Sequence, residues 1–149
     1  MSYFIQQIPL TVKHGNMIGE FYRLTDRTRA VVLFVSNLLV GKYNRIPIWT
    51  EFDRTQEQQD IYYAKEIVAG KFVEVDGAKH YSLNGERPTY SVHQFHRGAD
   101  LSRRNLSDNI IEQIRTSVNN VFPYGKTGLS TCLFHQQYGK SHLHFQSGV

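Results

Sequence analysis

The sequence is short of several things, and each shortage removes a class of explanation. It holds one cysteine, Cys132, in 149 residues. That excludes an intrachain disulfide and a zinc ribbon, so the fold does not depend on oxidation and suits a reducing cytosol. Cys132 lies in the strand-like run LSTCLF and is expected in the core rather than as a nucleophile. The longest apolar run, AVVLFV at residues 30–35, reaches Val40 only across Ser36 and Asn37, too short to span a bilayer. The opening MSYFIQQIPL has no basic start before an apolar stretch, so no signal peptide is expected. No five basic residues run together: Arg23, Arg27, Arg29, Arg45, Arg54, Arg97, Arg103, Arg104 and Arg115 are dispersed. The net charge of +4 favours an anionic partner, nucleic acid or an acidic wall polymer, without choosing between them, and a solvated surface explains it as well. No repeat, low-complexity segment or linker divides the chain, so one domain is expected over 1–149.

What is present is a core-forming composition: 40% hydrophobic, 20% charged, with nine Tyr, nine Phe and one Trp, which excludes disorder. The patterning predicts a buried helix over 26–40 capped by Asp26. A strand follows over 45–52 with Ile46, Ile48 and Thr50 on one face. Thr55 and Gln58 form a capping-box pattern for a helix over 55–69, with Gly70 as its stop. Asp76-Gly77 marks a hairpin within 71–83, and 84–88 reads as a loop. Residues 107–122 form an amphipathic helix with Ile110, Ile111, Ile114, Val118 and Val121 on one face. LSTCLFH and SHLHFQ read as two strands of a hairpin joined by QQYGK. Helices mixed with antiparallel strands give an α+β domain.

Two stretches carry the chemistry. SVHQFHRGADLS holds His93 and Asp100, seven residues apart, which suits a loop-to-strand segment whose side chains return to one point. SHLHFQSGV holds His142 and His144, which share a strand face while Leu143 and Phe145 take the other. Two imidazoles on one face are costly to bury without a partner, and a cleft or a metal would supply one. A catalytic zinc takes three protein ligands and keeps a fourth position open. With seven histidines in the chain, hydrogen-bonded structural histidines remain the competing explanation on spacing alone.

S-x-H followed at seven by D, and later H-x-H, resembles the zinc peptidases that cut peptidoglycan stem peptides. These are the D-alanyl-D-alanine carboxypeptidases and L-alanyl-D-glutamate endopeptidases, which share their fold with the hedgehog signalling domain and include many phage endolysins. TEFDRTQEQQDIYYA adds a third motif, with Arg54, Thr55, Glu57 and Gln58 in the places of Y/F-R-T/S-P-E-E-Q. The resemblance covers roughly residues 45–147. It implies a small antiparallel sheet flanked by helices and a Zn2+ held by His93, Asp100 and His144. It also implies Arg54 on a substrate carboxylate or oxyanion, and Ser91 and Gln58 on the substrate side. The reaction implied is metal-assisted hydrolysis, with zinc polarising the scissile carbonyl and a general base moving a proton from water to the leaving amine. The place of action implied is the bacterial cell wall, reached from the host cytoplasm after release or carried in a virion. Which bond is cut does not follow; residues 71–90 are expected to form part of the cleft wall.

The chain departs from the family pattern twice. Many members carry an acidic base three residues before the last zinc histidine; here that residue is Ser141, and His142 is the substitute, as base or as proton donor. The usual H-x-x-G-x-A-x-D becomes HQFHRGAD, with His96 at the common glycine and Gly98 at the common alanine. His96 either lines the cleft or packs outward, and Arg97 meets acidic substrate groups or solvent. Two rivals remain. Single-strand DNA endonucleases with paired histidines on a strand, Mg2+ or Mn2+, and a Y-x-x-K tyrosine would use Tyr62 and Lys65, but Ser141 is not apolar and His93, Asp100 and Arg54 go unexplained. A metal-binding wall or virion module without catalysis is the other.

Overall fold

The structure, a computed structural model, describes residues 11–122, 142–147 and the backbone of 131–134. A short helix, α1 (Met17–Arg23), leads into the long helix α2 (Asp26–Tyr43). Thr25, not Asp26, caps α2: its hydroxyl accepts from the Thr28 N–H. Asp26 is instead the first helical residue, where a negative charge suits the positive end of the helix dipole. The apolar run becomes the buried side of α2, with Val31, Val32, Val35 and Leu39 in the core.

The strand expected over 45–52 shrinks to β1 (Trp49–Glu51). Pro47 cannot donate to a ladder, and Ile46 is exposed. The core is filled by Trp49 and Phe52 instead of the expected Ile46 and Ile48 face. The helix expected over 55–69 breaks in two, α3 (Gln56–Tyr62) and α4 (Ala64–Val68), at Tyr63, whose φ of −107° and ψ of 24° leave the helical well. The Thr55–Gln58 capping box forms as the pattern predicts. A hairpin, β2 (Phe72–Val75) and β3 (Ala78–Tyr81), turns on Asp76 and Gly77, both left-handed at φ 52° and 81°. A 3-10 helix (Val92–Phe95) then feeds β4 (Gly98–Ser102). The next helix, α5 (Asp108–Val121), is capped by Ser107 and buries Ile110, Ile111, Ile114 and Val118; Val121, expected with them, is exposed at the helix end. The last two strands, β5 (Thr131–Phe134) and β6 (His142–Gln146), pair antiparallel as expected. The QQYGK connection, Ser141 and the side chain of Cys132 lie outside the described residues.

The main sheet runs β1-β4-β6-β5, all antiparallel, and β2-β3 stands apart. The architecture is therefore mixed α+β, a small antiparallel sheet with flanking helices. One face of the sheet carries Trp49, Ala99, Leu101, Leu143 and Phe145 into a single core with α2 and α5. Alternation sends Asp100, His142 and His144 to the other face. No helix among the described residues is long and apolar enough to cross a membrane.

One buried polar contact ties the helical layer to the sheet. The indole N–H of Trp49 donates to Ser36 Oγ at 2.9 Å, with both residues buried. Ser36→Ala strands that donor and should cost about 1–3 kcal/mol, seen as a lower urea midpoint at unchanged slope. An unchanged midpoint would show that the bond contributes nothing.

Candidate metal centre

The site begins with strand register. Glu51 of β1 pairs with Asp100 of β4, and Asp100 pairs with His144 of β6. Residues directly opposite in a sheet project from the same face, so these three stand in one row. His142 pairs with Ser102 two residues along β6, on that same face.

His93 comes from outside the sheet. Ser91 caps the 3-10 helix, accepting from the His93 N–H at 3.2 Å, and Gln94 returns a bond to the Ser91 N–H at 2.8 Å. The helix stops at His96, left-handed at φ 61°. Glycine is the residue that adopts such a conformation most easily, so a histidine there is a strained choice. The chain then reverses through Gly98. A Cβ there would sit 2.8 Å from Val92 Cγ2 and 3.0 Å from His93 Nδ1, so a bare glycine lets the imidazole lie against β4.

The pieces converge on one carboxylate. His93 Nε2 lies 3.3 Å from Asp100 Oδ2, and His144 Nδ1 lies 2.8 Å from Asp100 Oδ1. All three residues are buried, and one ligand atom from each lies within 4.8 Å of the others. Ligands at about 2.0–2.2 Å from a tetrahedral ion stand roughly 3.3–3.6 Å apart, so atoms as far as 4.8 Å from one another would have to close by up to about 1.5 Å. The outer nitrogens are held by the protein. His93 Nδ1 faces the Phe52 carbonyl at 3.4 Å, and His144 Nε2 faces Gln146 Oε1 at 3.1 Å. Such contacts fix ring orientation and aim the remaining nitrogen at a metal. His93, Asp100 and His144 could therefore bind a metal ion.

The electrostatics follow from burial and proximity. Burial alone raises the Asp100 pKa, but hydrogen bonds from His144 and His93, then their charge, pull it well below the usual carboxylate range. Burial opposes a proton on His93, and the hydrogen bond and charge of Asp100 outweigh it, so its pKa is raised. His142 is different. Its Nε2 is 3.5 Å from Asp100 Oδ2, but its side chain is 25% exposed, and burial pushes its pKa down. Burial thus favours its neutral form beside the cluster.

The other expected residues are placed unevenly. Arg54 reaches the site's edge but is engaged within the protein. Its Nε and Nη2 hold Glu51 Oε1 at 2.6 and 2.5 Å, and its Nη1 donates to Gln59 Oε1 at 2.7 Å. Gln58 is not brought to the site: its amide is spent on the Thr55 cap at the exposed start of α3. The buried glutamine is its neighbour Gln59, which also donates to the Thr89 carbonyl at 3.2 Å. Ser91 uses its hydroxyl in the cap just described. His96 places Nδ1 3.3 Å from Asp53 Oδ1, and Arg97 donates to the Ser147 carbonyl at 3.1 Å. Sequence reasoning missed Glu51 and Gln59. Gln59 was findable, because it lies five residues from Arg54 on the inward side of a short helix. Glu51 was not, because its direction depends on a strand irregularity that spacing does not reveal.

No family model, curated protein or solved structure matches this chain.

Two outcomes follow from the geometry. His93, raised from 6.5, stabilises the metal-free fold below 6.5 and loses that contribution as pH climbs through its raised value. Asp100, lowered from 3.8, contributes above 3.8 and loses it only as pH falls through its depressed value. The metal-free protein thus keeps both between these limits, whereas a metal ion requires the unprotonated imidazole. Thermal melts with and without divalent metal should show a larger metal-dependent rise in Tm at about pH 8 than at about pH 5.5. Equal rises would mean that His93 is not a ligand. Separately, Gly98→Ala should displace the His93 ring and weaken metal binding by tenfold or more, on the order of 1.4 kcal/mol, measured by competition with a chromogenic chelator. Unchanged affinity would show that the ring has room to move.

Proposed function

We propose that this chain is a zinc-dependent peptidase acting on peptidoglycan stem peptides. The observation that carries the reading is the convergence of His93, Asp100 and His144 on one buried point from segments up to 51 residues apart in sequence, with His142 beside them. A donor set of two imidazoles and one carboxylate matches the chemistry of catalytic zinc sites, which leave one position for solvent or substrate. The substrate class comes from the motif resemblance, which spans the arginine segment, the His93–Asp100 pair and the final histidines.

His93, Asp100 and His144 would hold a zinc ion, which would supply a Lewis acid to polarise the scissile carbonyl and make water a stronger nucleophile near neutral pH. The protein's own residues do the rest. Gln146 and the Phe52 carbonyl orient the ligand imidazoles. His142, partly open to solvent and with its neutral form favoured by burial, exchanges a proton or donates a hydrogen bond where charge develops. Arg54 is held by Glu51 and Gln59 at the edge of the site, so its charge is already answered within the protein.

Metal content by mass spectrometry, followed by assays on purified stem peptides, tests the reading. Wild type should carry about one zinc per chain, lost in His93→Ala, and should release free amine from the peptides. His142→Ala should keep its zinc and lose turnover by about 10²–10⁴-fold. A protein that takes up no zinc after reloading sinks the proposal. Zinc binding with no hydrolysis of any stem peptide points to a non-catalytic module, and Mn2+-dependent cleavage of single-stranded DNA points to a nuclease.

A further inference from the structure

The sheet row that builds the metal centre contains a carboxylate, Glu51, to which the reading above gives no part in the chemistry. Glu51 and Trp49 are two residues apart on β1, so in a regular strand they would face the same way. They do not pair regularly. Trp49 pairs with Leu101, whereas Glu51 pairs with Asp100, and the register shifts between them. This is a β-bulge, with Thr50 as the extra residue. The Thr50 hydroxyl donates to the Asp100 carbonyl at 3.3 Å across the irregularity. Trp49 is fully buried in the core with Leu101. Glu51 is turned to the opposite face, into the row of Asp100 and His144. Bulges re-aim side chains in just this way, often beside active sites.

The re-aimed carboxylate is fixed and close. Glu51 Oε1 lies 3.9 Å from His93 Nε2, the nitrogen that faces Asp100, and its side chain keeps 16% of its surface exposed. Arg54 grips the same oxygen through two nitrogens, and buried Gln59, itself anchored to the Thr89 carbonyl, holds Arg54. The Arg54 guanidinium also lies 4.7 Å from the centre of the Tyr62 ring. A charged side chain supported this fully has little freedom left.

We propose that Glu51 is the proton-carrying carboxylate of this site, supplied from β1 instead of from the segment before β6. The inference rests on the peptidase reading. Water adds through oxygen to the scissile carbonyl carbon and gives its proton to the Glu51 carboxylate. The C–N bond breaks, and Glu51 returns that proton to the departing amine. Peptide and water become acid and amine, with no change of oxidation state. His142, across Asp100 on β6, donates to the oxygen on which negative charge develops. Arg54 and Gln59 are positioning residues for Glu51.

The test compares zinc-loaded wild type, Glu51→Gln and Glu51→Asp. Zinc affinity, binding of acetohydroxamic acid and stem-peptide turnover are measured on each. A hydroxamate binds zinc while sharing its proton with an adjacent carboxylate, so its affinity reports Glu51 without any turnover. Glu51→Gln should keep zinc affinity within about threefold, weaken hydroxamate binding by about tenfold or more, and lower turnover by about 10²–10⁴-fold. Glu51→Asp, which keeps the carboxylate on a shorter arm, should recover part of both losses. Zinc affinity falling by tenfold or more in both variants would make Glu51 a metal ligand and overturn the proposal. Hydroxamate binding equal to wild type would overturn it too. If wild type binds zinc but cuts no stem peptide, the peptidase reading fails by itself, and the hydroxamate comparison still decides the place of Glu51.

Discussion

A negative charge in the interior has to be answered, and Asp100 is that charge. Moving a carboxylate from water into a protein interior costs several kcal/mol even after relaxation. Here the group is only 4% exposed on an inner strand of the sheet. Two imidazoles answer it, one from the neighbouring strand and one from the 3-10 helix folded back over β4. Remove either and the carboxylate is left under-compensated in a place water scarcely reaches. The register of β4 against β6 and the tight passage at Gly98 both serve this arrangement.

Proton and metal compete for the same ligand geometry. Asp100, 3.3 Å from His93, favours a proton on that imidazole; with a metal ion bound, the same atoms would become a donor set. The opposite face of the sheet, with Leu101, Leu143 and Phe145 in the core, makes the alternation nearly irreversible. A slip of one residue would send the imidazoles into the core and the apolar side chains to the site.

Much of this was legible in the sequence. The alternation of His142 and His144 with Leu143 and Phe145 stated both strand and face, because a period of two admits no other regular geometry. The Asp76-Gly77 turn and the Thr55–Gln58 box each appear where local chemistry placed them. The misses share a cause. Ile46 and Ile48 looked like a strand face, yet Pro47 and the demand of the core for Trp49 and Phe52 prevailed. The 55–69 pattern did not announce a break at Tyr63. Gln58 rather than Gln59 drew attention because the motif names residues by spacing, whereas the helix decides which one faces inward. Tertiary packing made each of these choices, and no local pattern records it.

The bulge at Thr50 has a consequence for how such proteins diverge. Side-chain direction on β1 depends there on one extra residue, so the face presented by Glu51 is set by chain length as much as by residue identity. A lineage could gain or lose an acidic group at this edge through a single in-frame codon insertion or deletion, leaving every other motif intact. Column-by-column alignment would then set Glu51 opposite a core residue in a chain that lacked the extra position. Two chains could carry the same carboxylate at the same point in space while their sequences seem to share no acid at all.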